Sequence, residues 1–358
     1  MNFLRNVFRA WRHSAPRYVA SAAPHSVDRM RAILNRERMR ADRSDSSFAL
    51  LTLTLSSRVV DGELTELAGV ICDRIRSTDD AGLLGPQCVG IVLPETSCAG
   101  AWKLAEDLCD LLPADMRHPQ CDVYVYPSDR AELDAVAPRE DDRPRARGEA
   151  QPMHVLFVQP LPLWKRVVDV AGASTALVLA APLMLVVAVA VKVTSPGPIF
   201  YAQQRTGLGR RSFWMYKFRT MVVDAEARKA DLRPLSEQDG PAFKLKNDPR
   251  VTKIGRLLRR TCFDEVPQLI NVVKGDMSLV GPRPLPCDES AGCEGWGHRR
   301  LDVTPGLTCT WQVRGGTKVT FAEWMRMDLR YASSRSLWSD LRLVALTVPS
   351  VIKRDGVY

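Results

Sequence analysis

The apolar stretch VAGASTALVLAAPLMLVVAVAV, at Val170–Val191, decides how this chain is organised. It contains no charged residue, and about 20 consecutive apolar residues form a helix long enough to cross the hydrocarbon core of a bilayer. A buried core helix of a soluble protein is usually shorter. The sequence therefore predicts a membrane segment over residues 167–193.

Two features bear on how this segment meets the membrane. Pro182 lies in its middle, where a proline removes a backbone hydrogen bond and kinks a helix. Cations lie at both ends, with Lys165 and Arg166 before the segment and Lys192 after it. Such symmetry favours a re-entrant helix that enters and leaves on the cytoplasmic side. A spanning helix stays open, because many transmembrane helices tolerate a proline.

Charge is distributed unevenly along the 358 residues. Residues 1–43 hold ten Arg and three acids, residues 44–160 hold ten basic and twenty acidic residues, and residues 161–358 hold thirty and eighteen. A basic C-terminal half suits nucleic acid, anionic lipid or a phosphorylated substrate. The apolar segment favours membrane lipid as a partner, and we expect no nucleic acid.

Residues 1–43 predict a basic amphipathic arm. Its arginines lie apart from one apolar face, which is typical of a helix in a membrane interface, and a helix docked on its own protein is equally compatible. The apolar face consists of Phe3, Leu4, Val7, Phe8 and Trp11.

No secretory signal pattern is recognisable, and nine cysteines without a C-x-x-C pair indicate reduced thiols in the cytoplasm.

Residues 44–127 predict a ferredoxin-like α+β domain. Their apolar periodicity gives the order strand, helix, strand, strand, helix, strand. The predicted elements are Phe48–Leu55, Leu64–Ile75, Ala81–Leu84, Val89–Leu93, Ala99–Leu112 and Asp122–Tyr126. Residues 128–160 predict a linker, because residues 128–152 are rich in Pro, Arg, Asp and Glu and offer little apolar surface for burial.

The predicted hairpin of this domain is Gly85-Pro86-Gln87-Cys88, and the surrounding residues 76–96 resemble GGDEF domains of the nucleotide-cyclase-like group. Those domains place acidic residues in the hairpin to hold metal and activate a nucleotide hydroxyl. Here the hairpin has no carboxylate. The resemblance implies a domain that has lost cyclase chemistry and contacts a regulatory partner or a second copy through residues 44–127.

An acid pair, Asp264-Glu265, lies between two predicted helices. Pro267 is tolerated only in a first helical turn, which predicts that Asp264 lies at or near an N-cap, and Gly275 predicts the end of that helix. A helix N-terminus favours an ionised acid and attracts phosphate oxygens. Beside Arg259 and a divalent cation, such a carboxylate is able to attack phosphorus, although an ordinary cap explains the same residues.

Two basic motifs flank the acid pair. Lys217 and Arg219 lie two residues apart, so on a strand they share one face and suit a phosphate-bearing ligand or a solvated edge. The loop Gly281–Pro284 has the sequence GPRP, in which two prolines stiffen the backbone that presents Arg283.

These motifs together resemble the bacterial sugar transferases, which are monotopic polyprenyl-phosphate phosphoglycosyl transferases. The resemblance extends from about Trp164 to Tyr358. It rests on the Lys-Arg start and the proline of the membrane segment, KFRTM at Lys217–Met221, the acid pair, GPRP, TPGLT at Thr304–Thr308, and Trp311-Gln312-Val313.

The resemblance implies transfer of a sugar 1-phosphate from a UDP-sugar to polyprenyl phosphate, such as undecaprenyl phosphate, with release of UMP. Asp264 is then the nucleophile that forms an aspartyl-phosphosugar intermediate, and Asp264 and Glu265 bind Mg²⁺. Pro182 marks the break in a re-entrant helix. The residues implied to bind substrate are Arg205, Lys217, Arg219, Arg259, Arg283 and Gln312.

The sequence thus predicts an α/β protein, in which a ferredoxin-like domain precedes a membrane-anchored, mainly helical catalytic domain over residues 161–358. The implied location is the cytoplasmic face of a bacterial inner membrane, at the first membrane step of exopolysaccharide or glycoconjugate synthesis. The alternative is a membrane-tethered regulatory protein that binds anionic lipid without catalysis. A tether of that kind would tolerate the loss of Asp264.

Overall fold

The computed structural model describes residues 25–55, 63–113, 118–127, 149–314 and 319–353. The apolar face predicted over residues 3–11 lies outside these ranges. The chain forms two compact units, Met1–Leu156 and Phe157–Tyr358.

The N-terminal unit is built on one five-stranded sheet. Its elements are α1 (Val27–Ser44), β1 (Phe48–Thr54), α2 (Glu63–Arg74), β2 (Asp80–Gly85), β3 (Cys88–Pro94), α3 (Cys98–Asp110), β4 (Gln120–Tyr126) and β5 (Gln151–Pro152). The sheet order is β2-β3-β1-β4-β5, with β1 to β4 antiparallel. From β1 to β4 the element order is the predicted one, and each element lies within two residues of its predicted bounds.

Strand β1 is central because almost all of its side chains are apolar. Its sequence is FALLTLT, and every residue except the last is buried, so both faces of the sheet are covered. On one face Ala49, Leu51 and Leu53 pack with residues of α2 and α3, such as Ile71 and Leu108.

The prediction that the basic arm extends to residue 43 is wrong, because residues 27–44 form helix α1. The helix begins after Ser26, whose hydroxyl accepts a hydrogen bond from the backbone N–H of Arg29. Before it, His25 exchanges backbone hydrogen bonds with Ala81 and Leu83 of β2. Residues 25–44 therefore belong to the fold of the N-terminal unit. The buried face of α1 comprises Met30, Ile33, Leu34, Glu37, Arg38 and Ala41.

The end of the predicted linker is also folded. Gln151 and Pro152 pair in parallel with Tyr124 and Val125 of β4, and a 3-10 turn follows at Met153–Phe157. Met153 is fully buried. The linker prediction is therefore wrong for residues 151–157, which are folded.

The C-terminal unit is mainly helical and has two small sheets, an antiparallel pair β6-β7 and a parallel pair β8-β9. Its elements are α4 (Leu163–Thr194), β6 (Phe200–Thr206), β7 (Ser212–Phe218), α5 (Lys229–Leu232), α6 (Lys253–Arg260), α7 (Gln268–Lys274), β8 (Ser278–Val280), α8 (Cys287–Ala291), β9 (Gly306–Thr308), α9 (Thr310–Arg314), α10 (Phe321–Ser333) and α11 (Leu337–Lys353).

Helix α4 contains the apolar stretch and continues through Pro182 as one 32-residue helix. The prediction that Pro182 breaks the helix is therefore wrong. A proline removes one backbone hydrogen bond, and the turns on either side retain theirs. Within the described ranges, α4 is the helix that is long and apolar enough to cross a membrane, with a mean hydropathy of 2.5 over its most apolar window.

Both ends of α4 pack against the same unit. Near the start, Ala173 contacts a cluster with Met215 of β7 and Val272 of α7. Near the end, Val187 and Val191 pack with other apolar residues, including Phe218 of β7 and Leu258 of α6. The helix is thus attached along one side, and the opposite side carries exposed valines and leucines.

Candidate active site

The acid pair lies in a tight reversal between α6 and α7. Helix α6 ends at Arg260, Cys262 takes a left-handed conformation with φ 54°, and Phe263–Glu265 form a 3-10 turn. The N-cap of α7 is Pro267, so Asp264 lies near the N-cap rather than at it, three residues earlier in the turn. Gly275 ends α7 with φ 99°, as predicted.

Glu265 is held by two cations. Its carboxylate accepts a hydrogen bond from Lys217 Nζ at 3.3 Å. It also accepts hydrogen bonds from both terminal nitrogens of Arg283, with Nη1 at 3.2 Å from Oε2. Burial raises the pKa of Glu265, but Arg283 and Lys217 outweigh it and hold the pKa well below its usual range. Glu265 is therefore an ionised anchor for both cations.

Asp264 has a different environment from its neighbour. It is 7% exposed, and in the described part of the chain its carboxylate makes no ion pair. Burial and the charge of Glu265 raise its pKa, while Lys217, Arg259 and Arg283 act in the opposite direction. A buried carboxylate thus faces three cations without being bonded to any of them, which leaves its oxygens available to a ligand.

Three predicted substrate residues therefore surround the acid pair: Lys217, Arg259 and Arg283. Burial lowers the pKa of Lys217 to about 8, although Glu265 opposes this shift. Burial also lowers the pKa of Arg259, whose Nε donates to Thr220 Oγ1 at 3.0 Å.

Arg205 braces the loop that carries Arg283. Its terminal nitrogens donate to the carbonyl oxygen of Pro284 at 2.8 Å and to Gln203 Oε1 at 2.7 Å. Burial and the nearby charge of Arg283 lower its pKa to about 10. The structure thus brings Arg205 to the edge of the site, with its charge beside Arg283.

The GPRP loop and the TPGLT motif form one backbone unit. Strands β8 and β9 are parallel, Gly281 N–H donates to Thr308 O at 3.0 Å, and Gly306 N–H donates to Pro282 O at 2.9 Å. A Cβ atom on Gly306 would lie 1.9 Å from the nitrogen of Gly281. Only glycine permits this approach, which fixes the backbone that leads into Arg283.

Two predicted substrate residues are placed differently. Arg219 is buried and donates to the carbonyl oxygens of Pro196 at 2.7 Å and Ser195 at 2.8 Å, so it holds the end of α4 rather than the site. The reason is that β7 ends at Phe218, so Arg219 no longer shares a strand face with Lys217. Gln312 Oε1 accepts the backbone N–H of Cys309 at 3.2 Å and caps the turn before α9.

Lys244 is a cation near the site that the motifs did not indicate. Its Nζ lies 5.9 Å from the centroid of the Trp311 ring, and burial together with the charge of Arg283 lowers its pKa to about 8. It lies on a loop between α5 and α6, where the sequence has no periodicity or paired residue to mark it.

Asp264 and Glu265 are the predicted Mg²⁺ ligands. Among the residues described, no group of three or more His, Cys, Asp or Glu side chains is placed to hold a metal. Mg²⁺ is commonly held through one or two carboxylates, while water and substrate phosphate complete its octahedron. Two adjacent carboxylates, one of them without an ion pair, therefore fit Mg²⁺ that binds together with a phosphate-bearing substrate.

A family model for bacterial sugar transferases matches residues 161–354. This range contains the acid pair, all the cations described above and the whole of α4. The chain belongs to the bacterial sugar transferase family.

Several relatives match over about half of the chain. Galactosyl transferase CpsE of Streptococcus agalactiae is 40% identical over 54% of this chain and 43% of its own length. Undecaprenyl-phosphate galactose phosphotransferase of Salmonella typhimurium is 40% identical over 54% of this chain and 41% of its own. The matched region thus spans less than half of these two relatives. The UDP-glucose:undecaprenyl-phosphate glucose-1-phosphate transferase of Caulobacter vibrioides is 42% identical over 56% of this chain and 75% of its own.

Solved structures match a smaller part of the chain. A DGC protein from Thermotoga maritima is 13% identical, with a TM-score of 0.26, over 31% of this chain and 88% of that chain. The GGDEF domain of DgcB from Caulobacter crescentus is 11% identical, with a TM-score of 0.26, over 31% of this chain and 78% of that chain.

Proposed function

We propose that this protein is a phosphoglycosyl transferase that moves a sugar 1-phosphate from a UDP-sugar to undecaprenyl phosphate at a membrane surface. The observation that carries the proposal is the contrast within the acid pair: Asp264 is buried among cations without an ion pair, whereas Glu265 holds those cations. The names of the relatives support the same donor and acceptor classes.

In the first half-reaction, a carboxylate oxygen of Asp264 attacks the phosphorus that carries the sugar. A bond forms between this oxygen and that phosphorus, and the bond from that phosphorus to the bridging oxygen of the diphosphate breaks. UMP leaves with the electron pair. Lys217, Arg259 and Arg283 lie where they would balance the charge that develops on the phosphoryl oxygens.

In the second half-reaction, a phosphate oxygen of undecaprenyl phosphate attacks the phosphorus of the aspartyl-phosphosugar. The bond to Asp264 breaks, the carboxylate is regenerated, and the product is undecaprenyl-diphospho-sugar. Glu265 keeps Lys217 and Arg283 in place through both steps, because its two oxygens bond to both cations.

Asp264 and Glu265 would also hold Mg²⁺ when the donor binds. The ion would supply charge neutralisation on the diphosphate oxygens. Because Glu265 already bonds two cations, we assign the larger share of metal binding to Asp264 and the donor phosphates.

We assign the protein to the cytoplasmic face of the bacterial inner membrane, with α4 attached to that face as one continuous helix that does not cross the bilayer. The support is that Ala173 near one end of the apolar stretch and Val191 at the other end both pack on the unit that carries the acid pair. In a continuous helix these two residues are about 27 Å apart, so a helix that crossed the bilayer would carry Phe218 and Leu258, the residues packed on Val191, through the hydrocarbon core. Residues 44–127, whose hairpin lacks a carboxylate, then serve as a regulatory or docking module, or as a contact between two copies.

The test measures UMP release by the full chain in membranes with Mg²⁺, undecaprenyl phosphate and a panel of UDP-sugars. We expect release with particular donors, and its loss in Asp264→Asn. Asp224→Asn is the matched control, because Asp224 is an exposed acid of the same unit that pairs with Arg228. A donor labelled in the sugar, given without undecaprenyl phosphate, should label the wild-type chain covalently and leave Asp264→Asn unlabelled.

Each possible outcome tests a different part of the proposal. No UMP release with any donor would overturn the transferase function and favour a membrane tether that binds anionic lipid. Equal release from Asp264→Asn would exclude Asp264 as the nucleophile. Release without covalent labelling of the wild-type chain would replace the two-step reaction by direct transfer between donor and acceptor.

A further inference from the structure

We propose that Thr220 is a positioning residue, whose hydroxyl orients the Arg259 guanidinium toward the phosphate that reacts at Asp264. The inference rests on the proposed function for the identity of that phosphate, which belongs to a nucleoside diphosphate sugar. It assigns a role to a side chain that lies two residues beyond the end of β7 and, in the part of the chain that the structure describes, makes no hydrogen bond to either carboxylate of the acid pair.

The contact itself fixes the plane of the guanidinium. Arg259 Nε donates to Thr220 Oγ1 at 3.0 Å. In the ranges that the structure describes, neither terminal nitrogen of Arg259 makes a hydrogen bond or an ion pair, although among the neighbouring charges that of Asp264 acts on its pKa most strongly. A guanidinium tethered through Nε keeps its terminal fork open for two parallel bonds to a phosphate.

The backbone around Thr220 performs a separate task. Its carbonyl oxygen accepts the N–H of Thr252 at 3.0 Å, at the start of α6, and packs against Gly255 in the next turn. A Cβ atom on Gly255 would lie 2.0 Å from the carbonyl oxygen of Thr220. Helix α6 is therefore docked on the main chain of Thr220, which a side-chain substitution leaves intact.

The role of the Thr220 hydroxyl can therefore be tested without disturbing the fold. Thr220 is 7% exposed, so its hydroxyl is shielded from water and its bond to a cation is stronger than a solvated one. Replacing the hydroxyl by a methyl group removes the tether and preserves the shape. Arg259 then keeps its charge but loses its fixed orientation.

The principal experiment compares Thr220→Val with Thr220→Ser in the full chain. We expect kcat to fall about tenfold in Thr220→Val, with KM for the UDP-sugar changed less than about twofold, because the charge that attracts the donor remains while its alignment is lost. Thr220→Ser keeps the hydroxyl and should restore most of the rate. Thr220→Ala should match Thr220→Val, which excludes an effect of the added methyl group.

A double-mutant cycle tests whether Thr220 acts through Arg259. In an Arg259→Lys background, which retains a cation but lacks the Nε–H group, Thr220→Val should cost less than about twofold in kcat. A full tenfold loss in that background would assign Thr220 a role independent of Arg259. Equal kcat in wild type and Thr220→Val would overturn the proposal.

A readout independent of turnover distinguishes this inference from the proposed function. The Nε–H resonance of Arg259 in ¹⁵N NMR, assigned by its absence in Arg259→Lys, should be protected from solvent exchange in wild type and Thr220→Ser. It should lose protection in Thr220→Val and Thr220→Ala. Protection that survives in both would refute the tether, whereas a protected resonance in a chain that releases no UMP would leave the tether and overturn only the transferase function.

Discussion

The two parts of helix α4 distribute their residues in opposite ways. Its inner part, residues 163–173, buries Lys165 and Asp169 to 2% and 1% exposure. Its outer part, residues 178–193, exposes Val178 and Leu179 to 73% and 75%. Charges inside and apolar side chains outside reverse the usual arrangement of a soluble protein. The inner part is thus bonded to the protein through its charges, whereas the outer part packs on the protein through Val187 and Val191 and exposes an apolar side that we propose meets lipid.

The inner part is held by polar contacts. Lys165 Nζ bonds to Asp340 of α11, and the hydroxyl of Tyr331 lies 2.9 Å from both Asp340 Oδ1 and the carbonyl oxygen of Val280. Asp169 Oδ1 accepts the N–H of Leu279 at 2.9 Å. Helix α4 is thus bonded to the strand that leads into the GPRP loop.

The largest effect is expected from breaking the buried ion pair. Lys165→Met leaves Asp340 buried without its cation, and we expect the free energy of unfolding to fall by about 3–5 kcal/mol. Chemical denaturation of the full chain in detergent measures it. Lys192→Met, at the exposed end of the same helix, is the control and should change stability by less than about 0.5 kcal/mol.

A second variant sharpens this prediction. Lys165→Met combined with Asp340→Leu removes both charges and should recover most of the loss, because paired apolar residues often replace a buried ion pair without cost. A double variant that is no more stable than Lys165→Met alone would contradict the assigned cause.

An intermediate effect is expected in the outer part. Leu179→Arg removes little packing, since the side chain is already exposed, but places a cation where we assign lipid. Membrane association should weaken by about 2.5–3.5 kcal/mol, measured by flotation with liposomes. Leu235→Arg, at an exposed leucine outside α4, should leave flotation unchanged. Equal flotation of Leu179→Arg and wild type would place the outer part in water.

The smallest effect concerns Asp169. Asp169→Ala removes the acceptor for Leu279 N–H and should cost about 1–3 kcal/mol, with faster hydrogen exchange at the Leu279 amide. Asp169→Asn keeps a carbonyl acceptor and should retain most of the protection. Unchanged exchange in Asp169→Ala would show that strand β8 is held by other contacts.

The sequence predicts the N-terminal sheet well because its strands are short apolar runs whose pattern is local. Helix α1 was not predicted as part of this unit, because its charged residues were assigned to the basic amphipathic arm. Two of them are buried, and Arg38 lies over the ring of Tyr126, whose hydroxyl donates to Asp42 at 2.5 Å. Such partners are distant in sequence and cannot be identified from periodicity.

The same limit applies at the candidate site. Lys217, Arg283 and the acid pair were predicted from motifs, and the structure brings them together. Arg219 was misplaced, because the rule that residues two apart share a face holds only within a strand. Lys244 could not be predicted, since it lies on a loop and its Nζ is placed over the ring of Trp311, a residue distant in sequence.

The glycine contact between Gly281 and Gly306 has a consequence for protein engineering. The two backbones are in contact. If only one of the segments that precede Arg283 and Trp311 were exchanged with that of a relative, this contact would be disturbed. A chimera designed to change donor choice should transplant both segments as one cassette, with both glycines retained.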